Sequence, residues 1–338
     1  MAKMLLVALF PLAILTSITA VDFSKSLSRY LNTETILETL EFGVELGDFL
    51  AALQKERDMS SLYVSKLGKD NKEYVVQAYP ETDKTLYQLS SWPVDMITSR
   101  REFQTRERYQ LHLNRHRYEL ESNNLTAAEE IKFYSTDIEV FIRWMYEAIG
   151  GTESASIWKS LVGYQELIMA SEYISREQGY GINFFTVGKF RDIRLYHLFM
   201  ESQDSAKTHF DSARHYSIEA YTMYQESIQS KNDTLEELLH MRNEIQSNKS
   251  SKPEGSVELA NMWFSKMSIY REVMRTTQKR LASRITVLFQ YNSQQDMTNM
   301  ITASVIVVGI VVVSLIIATI VYKLTSNFQK YSASIVKK

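Results

Sequence analysis

The sequence predicts an all-α fold, an elongated up-and-down helical bundle with one or two transmembrane helices, and three observations predict it. Neither Gly nor Pro occurs from Val94 to Ile149 or from Lys189 to Lys252, and gaps that long fit long helices better than a strand-and-turn architecture. From Leu46 to Leu67 a stripe at alternating spacings of four and three joins Leu46, Leu50, Leu53, Arg57, Ser60, Val64 and Leu67, the face a helix buries against its neighbours. Ile301 to Tyr322 is a run of 22 residues without a charge, rich in Val and Ile, long enough to cross a bilayer as a helix.

The elements follow in order. Residues 1–21 hold Lys3, an apolar run from Met4 to Leu15, and then Thr-Ser-Ile-Thr-Ala. That pattern fits a cleavable signal peptide ending at Ala20 or an uncleaved signal anchor; both readings put Asp22 outside the cytosol. A helix is expected from an N-cap at Asn32 to Leu67, a polar connection over 68–80, and a second helix from Glu81 interrupted at Trp92-Pro93. The stretch from Val94 to Leu120 is crowded with arginine, and Arg101 and Arg117 are the members best placed to lean inward. Ser122-Asn123-Asn124 reads as a turn, Thr126 to Ile149 as a helix ended by Gly150-Gly151, and Thr152 to Phe185 as the next. Helix is then expected over 191–232 and 234–246 with a turn near Lys231, followed by a loop over 247–255 that contains Pro253 and Gly255. From Ser256 the apolar positions Trp263, Met267, Tyr270, Met274, Leu281, Ile285 and Leu288 mark an amphipathic helix. No Gly or Pro separates Ser256 from Val308, so this helix is expected to run into the apolar segment without a break. The domains are therefore 1–21, a signal anchor or signal peptide; 22–299, an extracellular helical domain; 300–322, a transmembrane helix; and 323–338, a short basic cytoplasmic tail.

Composition excludes several classes. The chain has no cysteine, which removes disulfide frameworks, thiol catalysis and Cys-ligated metals. All 40 acidic residues lie between Asp22 and Asp296, against 33 of the 38 basic ones. The resulting net charge of −7 is the wrong sign for a nucleic-acid binder. Lys323, Lys330, Lys337 and Lys338 follow the apolar segment with no acid among them, and the positive-inside rule places that end in the cytoplasm. Sequons occur at Asn124, Asn232 and Asn248, each in an expected turn where a glycan has room. His112 and His116 have the spacing of a zinc hydrolase pair but lack its glutamate, and Glu237 with His240 is a single copy of a motif that di-iron bundles need twice. Neither metal nor cofactor is expected. No phosphate-binding loop or nucleophile elbow occurs, so an enzyme is not expected either.

Arg57 is the residue that points toward function. It sits inside the apolar stripe, and arginine cannot shed its proton, so in that place it needs an anionic partner. The fold can supply one through Glu56, Glu172 or Glu177, or the solution can supply a small anion that fits the planar guanidinium fork. A second stretch, Glu177 to Lys189, echoes Glu56 to Lys69 in its order of residue types. Its helix carries Leu167, Ser171, Ile174, Gln178, Ile182 and Phe185 on one face, so Gln178 takes the place in its stripe that Arg57 takes in the first. Arg176 lies nearby as a further cation.

ALQKERDMSSLYVSKLG at 52–68 resembles the opening motif of the nitrate- and nitrite-sensing domain family, and MASEYISREQGYGINFFTVGKF at 169–190 resembles its second motif. Smaller matches follow in the expected order, among them His116-Arg117, Ile131 to Tyr134 and Trp263-Phe264, so that the resemblance covers about residues 22–299. The family's Glu-Arg-Gly is Glu56-Arg57-Asp58 in the first motif and Glu177-Gln178-Gly179 in the second, so the second lacks its arginine. The resemblance implies two stacked four-helix bundles and a retained first membrane helix. It also implies a ligand site for a small nitrate- or nitrite-like anion drawn from Arg57, Gln178, Arg176, Arg101 and Arg117. The implied partners are that anion, membrane lipid, a second copy in a homodimer and a cytoplasmic signalling partner. With its juxtamembrane run and sequons, the chain is similar to the sensor portion of the invertebrate receptor guanylate cyclases of this family. The cyclase itself is not in the sequence and would be a downstream region or a partner. The reading from another class is a membrane-anchored helical adhesion or interaction protein with no small ligand.

Overall fold

A computed structural model describes residues 2–64, 72–92, 100–122, 125–149 and 155–336. Nine α-helices run through the described residues: α1 Ala2–Val64, α2 Lys72–Gln88, α3 Arg106–Ser122, α4 Ala127–Ile149, α5 Ala155–Val187, α6 Ile193–Tyr216, α7 Ile218–Ile228, α8 Asn232–Gln246 and α9 Val257–Val336. Short 3₁₀ turns at Arg101–Phe103 and Gln229–Lys231 join them, and no strand occurs among the described residues. The all-α fold expected from the spacing is the fold observed.

The chain forms two compact units, one of Glu38–Thr286 and one of Met1–Leu37 with Val287–Lys338. In the larger unit polar ties link α1 to α4 in sequence order. Lys55 of α1 meets Glu81 of α2, Gln110 of α3 meets Asp83 of α2, and His112 and His116 of α3 meet Asp137 and Glu130 of α4. A second group is tied likewise: Glu166 of α5 to His209 of α6, Glu177 of α5 to Arg242 of α8, and Glu219 of α7 to Arg284 of α9. One core is aromatic, with Phe49, Phe103, Tyr109, Phe141 and Trp144 in edge-to-face or tilted contact and ring centroids 4.9–6.1 Å apart, the arrangement the ring quadrupole favours. The stripe that predicted α1 is buried from Leu46 to Ser60, with Leu46, Leu50, Leu53, Arg57 and Ser60 at most 3% exposed, and half-buried at Val64.

The smaller unit holds the start of α1 and the end of α9. Phe10, Ile14, Ile18 and Val21 on α1, and Ile301, Val305, Val308, Leu315 and Tyr322 on α9, expose large apolar side chains. α9 contains a stretch long and apolar enough to cross a membrane, with mean hydropathy 3.0. Within this unit Arg29 and Asp296 tie α1 to α9, with Arg29 Nη2 2.8 Å from Asp296 Oδ1.

Several expected boundaries are corrected. Asn32 is not an N-cap, since α1 runs through it from Ala2; no Gly or Pro stands between Leu12 and Phe42 to stop a helix, and a capping residue alone does not. The connection expected over 68–80 is helical from Lys72, with Pro80 inside α2. Pro80 and Val76 both face solvent, so the carbonyl that loses its partner to the proline is hydrated instead. The helix expected over 191–232 breaks at Ser217, where φ −138° and ψ 93° end α6 and the side chain caps α7 through the amide of Ala220. A Cβ added at Gly163 would lie 2.8 Å from that of Ser217, so the break is a packing feature with no signal beyond one serine. In α9 the buried stripe passes through Phe289 at 1% exposure and not Leu288 at 37%, following a spacing of four from Ile285. Gly68, Asn124 and Gly150-Gly151 lie outside the described residues.

Two glycines are required by close approach. Gly188 and Gly255 have φ +84° and +87°, and an added Cβ at either would sit about 2 Å from a carbonyl oxygen of the other turn, so only glycine fits. Gly181 has helical backbone, but a Cβ there would lie 2.3 Å from the indole ring of Trp263, whose Nε1 donates to the carbonyl of Gln178 at 2.9 Å. Gly181→Ala is expected to cost about 1–3 kcal/mol through overpacking, while Gly47→Ala, with nothing within 4 Å, gains about 0.5–1 kcal/mol of helix propensity. Thermal unfolding of the full chain in detergent checks both; equal midpoints for Gly181→Ala and the parent would contradict this packing.

Candidate functional site

Arg57 is fully buried on α1. Its Nη1 donates to Glu172 Oε1 on α5 and Ser135 Oγ on α4, both at 2.7 Å, and its Nη2 donates to Ser175 Oγ on α5 at 2.8 Å. Of the three carboxylates the sequence offered, Glu172 is therefore the partner. Glu172 also accepts from Arg176 Nε at 2.7 Å and Gln54 Nε2 at 2.8 Å. Burial alone would raise its pKa, but Arg57 and Arg176 beside it outweigh burial and hold it below the usual carboxylate range. Glu56, the other neighbour of Arg57, turns the opposite way. It accepts from Arg117 Nε at 2.9 Å and Nη2 at 2.8 Å, and from Tyr134 Oη at 2.9 Å. Glu177 is held by Arg242 through two bonds of 2.7 and 2.8 Å.

Gln178 is fully buried and meets the first motif through a residue that the sequence reading did not single out. Its Nε2 donates to the carbonyl of Phe264 at 3.0 Å and to Ser268 Oγ at 3.2 Å, and its Oε1 accepts from Arg271 Nη1 at 2.9 Å. Arg271 of α9 also donates through Nη2 to Gln54 Oε1 at 2.8 Å and through Nη1 to Asp58 Oδ2 at 3.2 Å. The arginine missing from the second motif thus has a counterpart on a third helix. The available signal was spacing: Arg271 follows Met267 by four residues and lies beside Tyr270 on the amphipathic face. Its side chain is 14% exposed, and burial lowers its pKa against the opposing charge of Asp58.

The exposed part of Arg271 lines a cavity of about 350 Å³ that Gln54, Lys55, Phe264, Ser268 and Arg275 also line. Arg57 is not among the lining residues; it stands behind Gln54 and Glu172. Three buried polar atoms of this centre, Arg57 Nε, Asp58 Oδ1 and Arg271 Nε, have no hydrogen-bond partner among the described residues. Arg57 Nε and Asp58 Oδ1 are 3.8 Å apart, outside hydrogen-bond range.

The remaining expected residues divide. Arg176 is drawn to the centre through Glu172 and reaches Glu139 at 2.8 Å on its outer side. Arg117 leans inward as expected, onto Glu56 and over the ring of Tyr79 at 4.4 Å. Arg101 does not; it is exposed on the 3₁₀ turn before α3, because that turn buries Phe103 and leaves the arginine on the other side. His112 and His116 are bonded to Asp137 and Glu130 and stack on Phe133. Asn232 opens α8. Asn248 has φ 50°, and its side-chain oxygen accepts from the backbone N–H of Phe190 at 2.8 Å.

Glu56→Ala is expected to cost about 2–4 kcal/mol, because it takes the acceptor from Arg117 Nε and Nη2 and from the Tyr134 hydroxyl and leaves the buried Arg117 only Asp83 as a carboxylate, at 2.8 Å. Replacing Glu56 and Arg117 together by Leu and Met recovers most of that loss. Denaturant midpoints of the two variants check this, and a Glu56→Ala loss under 1 kcal/mol would contradict it.

The structure is similar to that of the NasR transcription antiterminator, with TM-score 0.67 and 15% identity over 85% of this chain and 83% of that one. No curated protein sequence matches the chain. The model of the family described as nitrate and nitrite sensing matches residues 48–286, which takes in Arg57, Glu172, Gln178 and Arg271, and the chain belongs to that family.

Proposed function

We propose that the chain is the sensor of a transmembrane receptor that binds nitrate, nitrite or a similar small anion outside the cell, at Arg271 and the Arg57 centre behind it. The observation that carries this reading is the meeting of Arg271 and Gln54, which line a cavity, with Gln178 and Asp58 buried behind them, in a chain of the nitrate and nitrite sensing family. Arg271 offers a cationic fork at the cavity wall. Gln54 and Ser268 beside it supply an amide and a hydroxyl, and Arg57 adds charge from behind. Planar anions with two or three oxygens suit such a donor set.

Transmission follows from which helix holds the cation. α9 carries Arg271 in one unit and the apolar segment in the other, while Asp58 and Gln54 belong to α1. An anion that changes how Arg271 is held changes the restraint between α9 and α1, and shifts of about 1–2 Å are the usual scale of such helix switches. The lysines after the apolar segment support a cytoplasmic far end. The output would be a guanylate cyclase following or partnering this chain, and the receptor would work as a homodimer. The network itself also supports a reading without a ligand, since each buried arginine already has a carboxylate within 3.2 Å.

Calorimetric titration of the full chain in detergent at pH 6 with nitrate and nitrite separates the two. Binding is expected, weakened about tenfold to a hundredfold by Arg271→Gln, the loss of one charged hydrogen bond of about 1.5–3 kcal/mol. No heat with either anion, or equal affinity in the variant, would favour the interaction protein.

A further inference from the structure

Asp58 is the under-bonded carboxylate of the centre. Glu172 accepts three short bonds, Glu56 three and Glu177 three. Asp58 is fully buried and has one among the described residues, the 3.2 Å contact that is also the longest that Arg271 makes there. Its other oxygen has none among them. The charged groups that face it are Arg57 on its own helix, Arg271 on α9 and Glu172 on α5. Gly179 of α5, backed by Ile131 of α4, closes its remaining side: a Cβ at Gly179 would lie 3.4 Å from Oδ1 and 3.3 Å from Ile131.

The charges at this point already balance. Arg57, Arg176 and Arg271 stand against Asp58, Glu172 and Glu139, and the cavity lining adds Lys55 and Arg275 against Glu81 and Glu272. A further anion entering beside Arg271 would leave an uncompensated negative charge in a poorly solvated place, which is costly. One proton entering with it restores the balance, and Asp58, the buried carboxylate with the fewest bonds to lose, is the group that can take it, Glu139 being half-exposed. On the anion-binding reading above, we propose that Asp58 is the internal counter-anion of the site, which an incoming small anion displaces from Arg271 as Asp58 takes up one proton from solvent.

The proton goes to a carboxylate oxygen and becomes an O–H donor, so that Asp58 turns from a competitor of the anion into a group able to bond it. Burial favours this state: it raises the Asp58 pKa to about 6, against the pull of Arg271 and Arg57. The sign follows directly. Below about pH 6 the carboxyl is already neutral in the empty site, so affinity does not depend on pH. Above it each bound anion must bring a proton, and affinity falls as pH rises, tenfold per pH unit for one proton.

Calorimetry of the full chain in detergent with sodium nitrate, from pH 5 to 8 and in Hepes and Tris at each pH above 7, reads this directly. The expected result is a dissociation constant flat below about pH 6 and rising tenfold per unit above it. The heats in the two buffers should differ by the ionisation heat of one proton. Asp58→Asn is expected to bind at pH 8 at least as tightly as the parent does at pH 5, without pH dependence. Binding by the parent with no pH dependence and equal heats in both buffers overturns the proposal and leaves the anion reading standing. Absence of binding in both proteins at every pH overturns the two together. Should Asp58→Asn not fold, the two-buffer measurement on the parent decides alone.

Discussion

Arg57 carries a charge that no ordinary pH removes, and α1 buries it completely. Everything around it follows from the need to meet that charge. Glu172 must be ionised and within reach, which fixes the register of α5 against α1. Ser135 and Ser175 must present their hydroxyls, which brings α4 to the same level. An apolar residue in this place would hold the helices about as well or better, since buried ion pairs recover little more than the cost of drying them. What the arginine adds is a requirement for one arrangement, because removing any partner strands a charge.

Gln178, one turn past Ser175 on α5, passes that requirement on to α9. The indole of Trp263 bonds its carbonyl, and Gly181 leaves room for the ring. Its side chain holds Arg271 together with Asp58 and Gln54. α9 is thus fixed to α1 and α5 by packing at one level and by charge at another. The second level is the one that a small anion at the cavity wall can alter. A site of this kind works by exchange: a bond between two helices gives way to a bond between a helix and a ligand, with the total charge unchanged.

Much of this was legible in the sequence. A charge in an apolar stripe marked Arg57, and periodicity alone placed Gln178 in the corresponding position on its helix; both are fully buried. Long gaps without Gly or Pro marked the helices, and α4 and α5 lie close to where those gaps and the capping residues put them. Spacing sets Arg271 beside the amphipathic face of α9, but its role was not legible, because its partners Gln54, Asp58 and Gln178 are some ninety to two hundred residues away, and helical periodicity reports nothing at that range. Asp58 was visible only as a departure from a motif. The Ser217 break and the helical Pro80 share one cause: local signals weigh a cap or a proline by itself, while packing against Gly163 and hydration of a solvent-facing carbonyl decide the outcome. Arg101 and Arg117 looked alike in a run of arginines, and only the position of Glu56 separates them.

The central claim is that a small anion seats beside Arg271 and displaces Asp58 from it. Crystals of the full chain grown at about pH 5.5 with bromide, a small anion with an anomalous signal, test it most directly. The account predicts an anomalous peak within hydrogen-bond distance of the Arg271 guanidinium, with the Asp58 carboxyl moved off that nitrogen. Peaks confined to exposed arginines such as Arg101, with the Asp58–Arg271 contact intact, would contradict it.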